Sequence, residues 1–139
     1  MSEPLLTYRG TVHMWHCDHM GHMNVMWYVG KFDEATWHLL AAIGLTSSVM
    51  HENKTGMAGV EQQITYKKEL FPGDVVSIHS RVLEVKEKSI RVEHVMSNDV
   101  SRDVAATMVL TAVHLDRSKR KACAFPAEIK AKAGALVGQ

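Results

Sequence analysis

The sequence has little cysteine, no excess of either charge and no long apolar run. Cys17 and Cys123 lie far apart among 139 residues, so the chain is not a disulfide-based scaffold. Sixteen basic side chains and fifteen acidic ones nearly cancel, so the net charge gives no positive electrostatic field that would hold nucleic acid or an anionic membrane. No stretch reaches the length of a membrane span, and the polar start MSEPLLTYRG lacks an export pattern. We therefore expect a protein of the reducing cytoplasm.

The chain does have enough apolar material for a core. Hydrophobic residues make up 46% of the sequence, which argues against disorder. Its length suits one domain, and neither a repeat nor a linker interrupts it. The sequence thus predicts a single domain over residues 1–139, of which 127–139 form a loosely ordered tail rich in alanine and lysine.

Apolar residues recur at steps of three and four from Tyr28 to Ile43, which predicts a long helix there. Gly44 follows where such a helix would end. Three more apolar residues widen the stripe, so we expect neighbours to wrap the helix on most sides. These three are Val29, Trp37 and Leu40.

Beyond the helix the apolar period falls to two, which is typical of β-strands. After a loop with Gly56 and Gly59, a strand is predicted over 62–70, and the turn FPGD follows it. The turn KEKS joins two further strands, and NDVSRD precedes a last apolar strand that we expect to be central and covered on both faces. With LTYRGTVHMW as a first strand, the predicted class is α+β, an antiparallel sheet of about five strands wrapped around one long helix.

The stretch DHMGHMNVMWY, residues 18–28, puts chemically active side chains just before this helix. A carboxylate there lies near amide N–H groups that have no partner within the helix and carry partial positive charge. Asp18 is therefore either a helix cap or a catalytic acid. Because the apolar stripe begins only at Tyr28, Asn24 is the better cap. Asp18 is then free to face a carbonyl whose developing oxyanion the helix amides stabilise.

The same stretch resembles the signature of hotdog-fold acyl-CoA thioesterases of the 4-hydroxybenzoyl-CoA thioesterase type, roughly Asp-x-x-Gly-His-x-Asn-Asn-x-x-Tyr. Val25 departs from the second asparagine, and ITYKKELFPGD resembles the family's next strand and turn. The resemblance implies a hotdog fold and an enzyme that hydrolyses an acyl-CoA thioester without a cofactor. It also implies a homodimer with its sites at the interface, whether or not dimers pair into a homotetramer. The matching positions are Asp18, Gly21, His22, Asn24 and Tyr28.

The resemblance assigns roles around the scissile bond. Asp18 would be the nucleophile or the general base, and the N-terminal helix amides would form the oxyanion hole. Coenzyme A leaves readily because a thiol has a pKa of about 8 to 9, so no Ser-His-Asp triad is required. For His22 a backbone contact in the loop is an equal alternative, and Tyr28 is also expected in the core. The predicted substrate-binding residues are His22, Asn24, Val25, Tyr28, Trp15 and Trp27.

The phosphates of coenzyme A would need cations. Arg91 and Lys88 are our candidates, because hotdog folds bring the strand after KEKS near the dimer cleft. Histidines recur every three residues from His13 to His22 beside Cys17, and imidazole and thiolate are common zinc ligands. Side chains three residues apart lie on one face only in a helix, whereas this stretch crosses a strand end and a glycine turn. We therefore predict no metal site.

The acyl group is the least constrained feature. Trp15, Trp27 and Trp37 either pack in the core or line an aromatic box, since electron-rich rings can hold a quaternary ammonium. DHMGHMNVMWYV also resembles betainyl-CoA thioesterases associated with carnitine breakdown, so a trimethylammonium acyl group joins short-chain, branched and aromatic groups as an option. A non-catalytic acyl-CoA binding module and a hotdog hydratase or dehydratase remain alternatives. Against a hydratase, His22 follows Asp18 by four positions instead of five.

Overall fold

The structure is a computed structural model that describes residues 3–137 and contains one antiparallel sheet. The strands are β1 (Leu5–Thr11), β2 (Thr55–Tyr66), β3 (Val75–Val85), β4 (Ser89–Asn98), β5 (Val104–Asp116) and β6 (Lys121–Ala122). The helices are α1 (Val25–Ala42), α2 (Ser47–Asn53) and α3 (Ala127–Ala135), and a 3-10 turn at Met14–His16 precedes α1. The strand order is β1-β3-β4-β5-β2, with β6 beside β5.

The long helix α1 packs its apolar stripe into the same core as the inner face of the sheet. Phe32 and Leu39 of α1 are buried together with Ile90, Val92 and Met96 of β4. The alternation of apolar and polar residues in β4 puts these three side chains on one face. The predicted α+β class is therefore confirmed, as is the hotdog arrangement of a sheet around one long helix.

Both ends of α1 follow local rules. Asn24 caps the helix, because its Oδ1 accepts the Met26 N–H at 2.9 Å, so α1 begins at Val25 and not at Tyr28. At the other end Gly44 takes a φ of +93°, a conformation that favours glycine. The expectation that neighbours cover most sides of α1 is wrong for the single chain, since Trp37 is 48% exposed.

The predicted turns are present, but β2 is longer than predicted. In FPGD the Asp74 N–H bonds the Phe71 carbonyl at 3.0 Å. The segment with Gly56 and Gly59 is not a loop, because β2 pairs with β5 from Thr55 onward and this pairing satisfies the backbone. The strand also ends at Tyr66 instead of residue 70, and the short helix α2 was not predicted.

Two expectations about the C-terminal third need correction. β5 is central, but its buried residues alternate with half-buried ones, so only one of its faces is fully covered within this chain. The segment 127–135 is not a loose tail, because α3 packs on β3 with Ile129 and Ala133 buried. Gly138 and Gln139 lie outside the described residues. None of the helices over residues 3–137 has both the length and the apolar character needed to cross a membrane.

Candidate active site

The loop between β1 and α1 folds back on itself and brings Asp18 to the N-terminal end of α1. Cys17 and Met23 form an antiparallel bridge, and between them the Gly21 N–H bonds the Asp18 carbonyl at 2.9 Å. Gly21 has a φ of +86°. This left-handed conformation costs other residues about 1–2 kcal/mol, which explains a glycine three positions after the acid.

The Asp18 carboxylate is held by two hydrogen bonds. Asn24 Nδ2 donates to Oδ2 at 2.7 Å, and the Met20 N–H donates to Oδ1 at 2.9 Å. The Asn24 bond, followed by the Met20 bond, lowers the pKa of Asp18, so the carboxylate is ionised at neutral pH. Because a carboxylate has about four lone-pair sites, both oxygens can still contact a substrate or a water.

Asn24 connects this carboxylate to the start of α1. Its side chain bonds Asp18 through Nδ2 and the Met26 N–H through Oδ1, while its carbonyl accepts the Trp27 N–H at 3.0 Å. Asp18 is thus not the helix cap, but neither is it free of the helix as the sequence suggested. Within residues 3–137 the Val25 N–H has no hydrogen-bond acceptor. In the first turn of α1, the Val25 amide is therefore the one that is available to an oxyanion.

His22 faces Glu69 and not Asp18. Its Nε2 lies 2.9 Å from Glu69 Oε2, and the adjacent Met23 N–H bonds the Leu70 carbonyl at 2.8 Å. These contacts fasten the loop that carries Asp18 to the segment after β2. Sequence reasoning missed Glu69, because no local pattern connects these distant parts of the chain.

A cavity of about 220 Å³ lies beside the N-terminal end of α1. Its walls include Val25, Tyr28, Tyr66 and Glu69. The Tyr28 ring is buried in the core as predicted, and its hydroxyl donates to the Lys68 carbonyl at 2.9 Å. It meets the Tyr66 ring edge to face, with 5.2 Å between the centroids. We call this space the tyrosine cavity.

A larger groove of about 400 Å³ runs between α1 and the strands β2 and β5. Met26 and Trp37 line it from the helix, and Met57 and Gly59 line it from β2. The groove begins at the first turn of α1, next to Asn24. It therefore leads away from the Asp18 carboxylate along the exposed side of the helix.

Trp15 and Trp27 contact each other, and a histidine packs against both. The two indole rings meet edge to face at 5.1 Å, and the His16 ring lies 3.9 Å from Trp15 and 4.8 Å from Trp27. Burial, followed by the positive charge of Lys31, lowers the pKa of His16, so this ring is neutral at neutral pH. In the part of the chain that the structure describes, the Trp37 ring contacts neither of the other indoles, so the three tryptophans do not form one box.

The two predicted contacts for the phosphates of coenzyme A do not lie near Asp18 of the same chain, and their predicted place at a dimer cleft stays a prediction. Lys88 is in the turn between β3 and β4, and Arg91 is exposed on the outer face of β4. The pairing of β4 with β5 and of β5 with β2 puts this turn about 27 Å along the strands from the strand end at Tyr66. Lys67 and Lys68 border the tyrosine cavity instead.

The histidine-rich stretch does not converge on one point. The His13 N–H donates to His16 Nδ1 at 2.9 Å, whereas His22 turns towards Glu69. Among the described residues, no three His, Cys, Asp or Glu side chains are grouped so that they could hold a metal ion.

Comparison with known proteins identifies the family. The family described as the thioesterase-like superfamily matches residues 12–133, a span that includes the Asp18 loop, α1 and the strands. The chain therefore belongs to the thioesterase-like superfamily. The predicted class, a hotdog-fold thioester hydrolase, is confirmed.

Individual relatives agree with this assignment. A betainyl-CoA thioesterase of Pseudomonas aeruginosa is 25% identical over 136 residues, which are 98% of this chain and 86% of that protein. The structure of a gentisyl-coenzyme A thioesterase superposes with a TM-score of 0.81 at 25% identity and covers 91% of this chain and 98% of its own. A Staphylococcus aureus protein solved in complex with CoA shares the fold, with a TM-score of 0.90 at 19% identity over 100% of this chain and 89% of its own.

Proposed function

We propose that this protein hydrolyses acyl-CoA thioesters to a free acid and coenzyme A, with Asp18 as the nucleophile or general base. The observation that carries the proposal is the double role of Asn24. One side chain bonds the Asp18 carboxylate and caps α1, so it holds an ionised acid close to the unbonded Val25 amide. Acyl transfer requires this pair, a base or nucleophile on one side of the carbonyl and a hydrogen-bond donor for its oxygen.

Both routes for Asp18 use the same geometry. Asp18 attacks the carbonyl carbon to form a mixed anhydride that water then hydrolyses, or it takes a proton from a water that attacks directly. In either case the C–S bond breaks and coenzyme A leaves as a thiolate, which needs no strong general acid because the thiol pKa is about 8 to 9. The carbonyl oxygen accepts the Val25 N–H, beside the positive end of the α1 dipole.

The relatives support coenzyme A as the leaving group. The Pseudomonas relative is named for betainyl-CoA and the structural neighbour for gentisyl-coenzyme A, and both names describe CoA thioesters. The Staphylococcus aureus neighbour was solved with CoA bound. We propose that Lys67 and Lys68, exposed beside the tyrosine cavity, contact the phosphates in place of the distant Lys88 and Arg91.

We expect thiol release from a panel of acyl-CoAs that includes trimethylammonium, short-chain, branched and aromatic acyl groups. A thiol-reactive dye measures free coenzyme A, and absorbance of the conjugated enoyl thioester measures hydration or dehydration in parallel. Interconversion of enoyl and hydroxyacyl thioesters without thiol release would favour the hydratase alternative. Binding of acyl-CoA with neither reaction would favour the binding module.

We also propose that two copies pair through β2. This strand is an edge of the sheet, twelve residues long and largely exposed, and long exposed edges tend to pair with another chain. Val60 on this strand is 60% exposed, and the 400 Å³ groove lies beside it. Pairing two β2 strands would cover both features and close the groove.

Sedimentation should therefore give twice the 15.5 kDa of one chain. Val60→Asp adds two like charges at the interface, so we expect it to shift the species towards the monomer and to lower turnover. Val100→Asp is the matched control, because Val100 is 81% exposed in the turn between β4 and β5. We expect this variant to remain dimeric. A monomeric unmodified chain with full activity would contradict this proposal.

A further inference from the structure

The groove between α1, β2 and β5 begins beside the proposed oxyanion donor. Met26, which lines its start, directly follows Val25 in the first turn of α1. The tyrosine cavity, which Val25 itself lines, is a separate space, and Lys67 and Lys68, the proposed contacts of the phosphates, border it. The sulfur and the acyl chain of a thioester extend from the carbonyl carbon in different directions. Coenzyme A on the lysine side therefore leaves the groove to the acyl group.

The groove has an apolar floor and a polar rim. Met108, Leu110 and Ala112 of β5 line it, and each is at most 5% exposed. Asp33 and Gln62 also line it, but both are exposed to solvent. A hydrocarbon chain can therefore cover the buried apolar residues while the two polar side chains keep their contact with water.

Three methionines from three different elements line the groove: Met26 of α1, Met57 of β2 and Met108 of β5. Methionine is unbranched, flexible and polarizable, so its side chain can adapt its shape to an alkyl chain that lies against it. The pairing of two β2 strands that we propose above would cover this space and exclude water from it. These features favour a flexible hydrocarbon over a rigid or strongly polar acyl group.

Gly30 leaves part of the helical wall of the groove without a side chain. Glycine inside a helix is destabilising relative to alanine, because a more flexible backbone has to be ordered. Packing does not require a glycine here. Apart from its chain neighbours and the helix backbone, a Cβ built on Gly30 would meet one atom within 4 Å in residues 3–137, Trp27 Cε3 at 3.6 Å, which is an ordinary contact distance. Because Gly30 lines the groove, we attribute the glycine to the space that it leaves for a ligand.

We infer that the groove holds the acyl group of the substrate, and that Gly30 gives passage to an unbranched acyl chain long enough to extend past it. This inference rests on the proposed hydrolysis of acyl-CoA. Gly30 lies five residues after Val25, about 7.5 Å along the helix, and Trp37 lies twelve residues after Val25, about 18 Å. An extended chain advances about 1.25 Å per carbon, from a bond length of about 1.5 Å and an angle of about 111°. A chain with its carbonyl at the Val25 N–H therefore reaches Gly30 after about six carbons and Trp37 after about fourteen.

The test compares kcat/KM for hexanoyl-CoA, whose chain ends before Gly30, with kcat/KM for dodecanoyl-CoA, whose chain extends past it. We expect the unmodified enzyme to prefer the dodecanoyl thioester at least about tenfold, because each buried methylene contributes to binding. Gly30→Leu puts a side chain into the groove and should lower this preference at least about tenfold. Gly30→Ala adds one methyl group and should lower the preference about threefold, while the urea midpoint rises because alanine favours the helix. A loss of preference in a more stable variant cannot come from unfolding.

Gly134→Leu and Gly134→Ala are matched controls and should leave the preference unchanged. Gly134 is exposed inside α3, and a Cβ there would meet nothing within 4 Å among the described residues. A preference that neither Gly30 variant changes, or faster hydrolysis of hexanoyl-CoA by the unmodified enzyme, would overturn this inference and leave hydrolysis intact. Gly30 variants that change only the sedimentation would also overturn it, since a second copy would then fill the groove. A folded enzyme that releases thiol from no acyl-CoA would refute the proposed function and this inference together.

Discussion

Replacing Asp18 by asparagine is expected to lower kcat for thioester hydrolysis at least about a hundredfold, the scale of a positioned acid–base group. Asparagine has nearly the same volume and can still accept the Met20 N–H, but it carries no charge and cannot act as nucleophile or base at neutral pH. The bond from Asn24 Nδ2 is lost if the new amide nitrogen faces it. Because both side chains are partly exposed, we expect the fold to persist, which urea unfolding checks in parallel.

Asp116→Asn is a matched control for this substitution. Asp116 is also an aspartate just before a turn, as the last residue of β5, and its Oδ1 accepts the Ser118 and Lys119 N–H groups at 2.9 and 3.0 Å. It pairs with Thr55 at the other end of the sheet from Tyr66. Its replacement should leave kcat unchanged. Near-normal turnover in Asp18→Asn would assign the chemistry to another acid, and Glu61, exposed on β2, would be tested next.

The second large effect concerns His94, which we expect to make the protein less stable as the pH falls from about 6.5 towards 4. His94 is fully buried in β4, and burial lowers its pKa to about 4. Its Nδ1 bonds the Ser80 hydroxyl and its Nε2 lies 2.9 Å from Thr36 Oγ1. Thr36 donates its own proton to the Phe32 carbonyl at 3.0 Å, so Nε2 carries the hydrogen and Nδ1 accepts from Ser80.

The sign follows from which state binds the proton. Above about pH 6.5 the imidazole is neutral in both states and pH has no effect through it. Between about 6.5 and 4 the unfolded chain is protonated at this histidine and the folded chain is not, so the free energy of unfolding decreases as the pH is lowered. Below about pH 4 the contribution of His94 to stability is lost in full. The difference between the two pKa values corresponds to about 3 kcal/mol.

Urea unfolding at a series of pH values measures this effect. His94→Gln should be less stable at pH 7 but should have a shallower dependence on pH, while the exposed His38→Gln should keep the slope of the unmodified protein. An NMR titration adds a direct reading of the imidazole. If His94 titrates near its ordinary value of about 6.5, the prediction fails.

Local rules were sufficient for much of the architecture. The three- and four-residue period, the Asn24 cap and Gly44 describe α1 to within a turn, because helix hydrogen bonds join residues only four apart. The alternation of apolar residues and the FPGD and KEKS turns describe the β3–β4 region for the same reason. Asp18 also stood out from sequence, since its position relative to the helix start depends on nearby residues.

The sequence by itself therefore determined the class of fold, the start of the long helix and the acid ahead of it, because these depend on interactions over a few residues. Only the tertiary structure decided that the glycine-containing start of β2 is strand, that α3 is packed, and that Lys88 lies far from Asp18. The contact between Tyr28 and Lys68 spans 40 positions and the one between Thr36 and His94 spans 58. Sheet register brings such residues together, and register depends on the pairing of whole strands, which no local pattern contains.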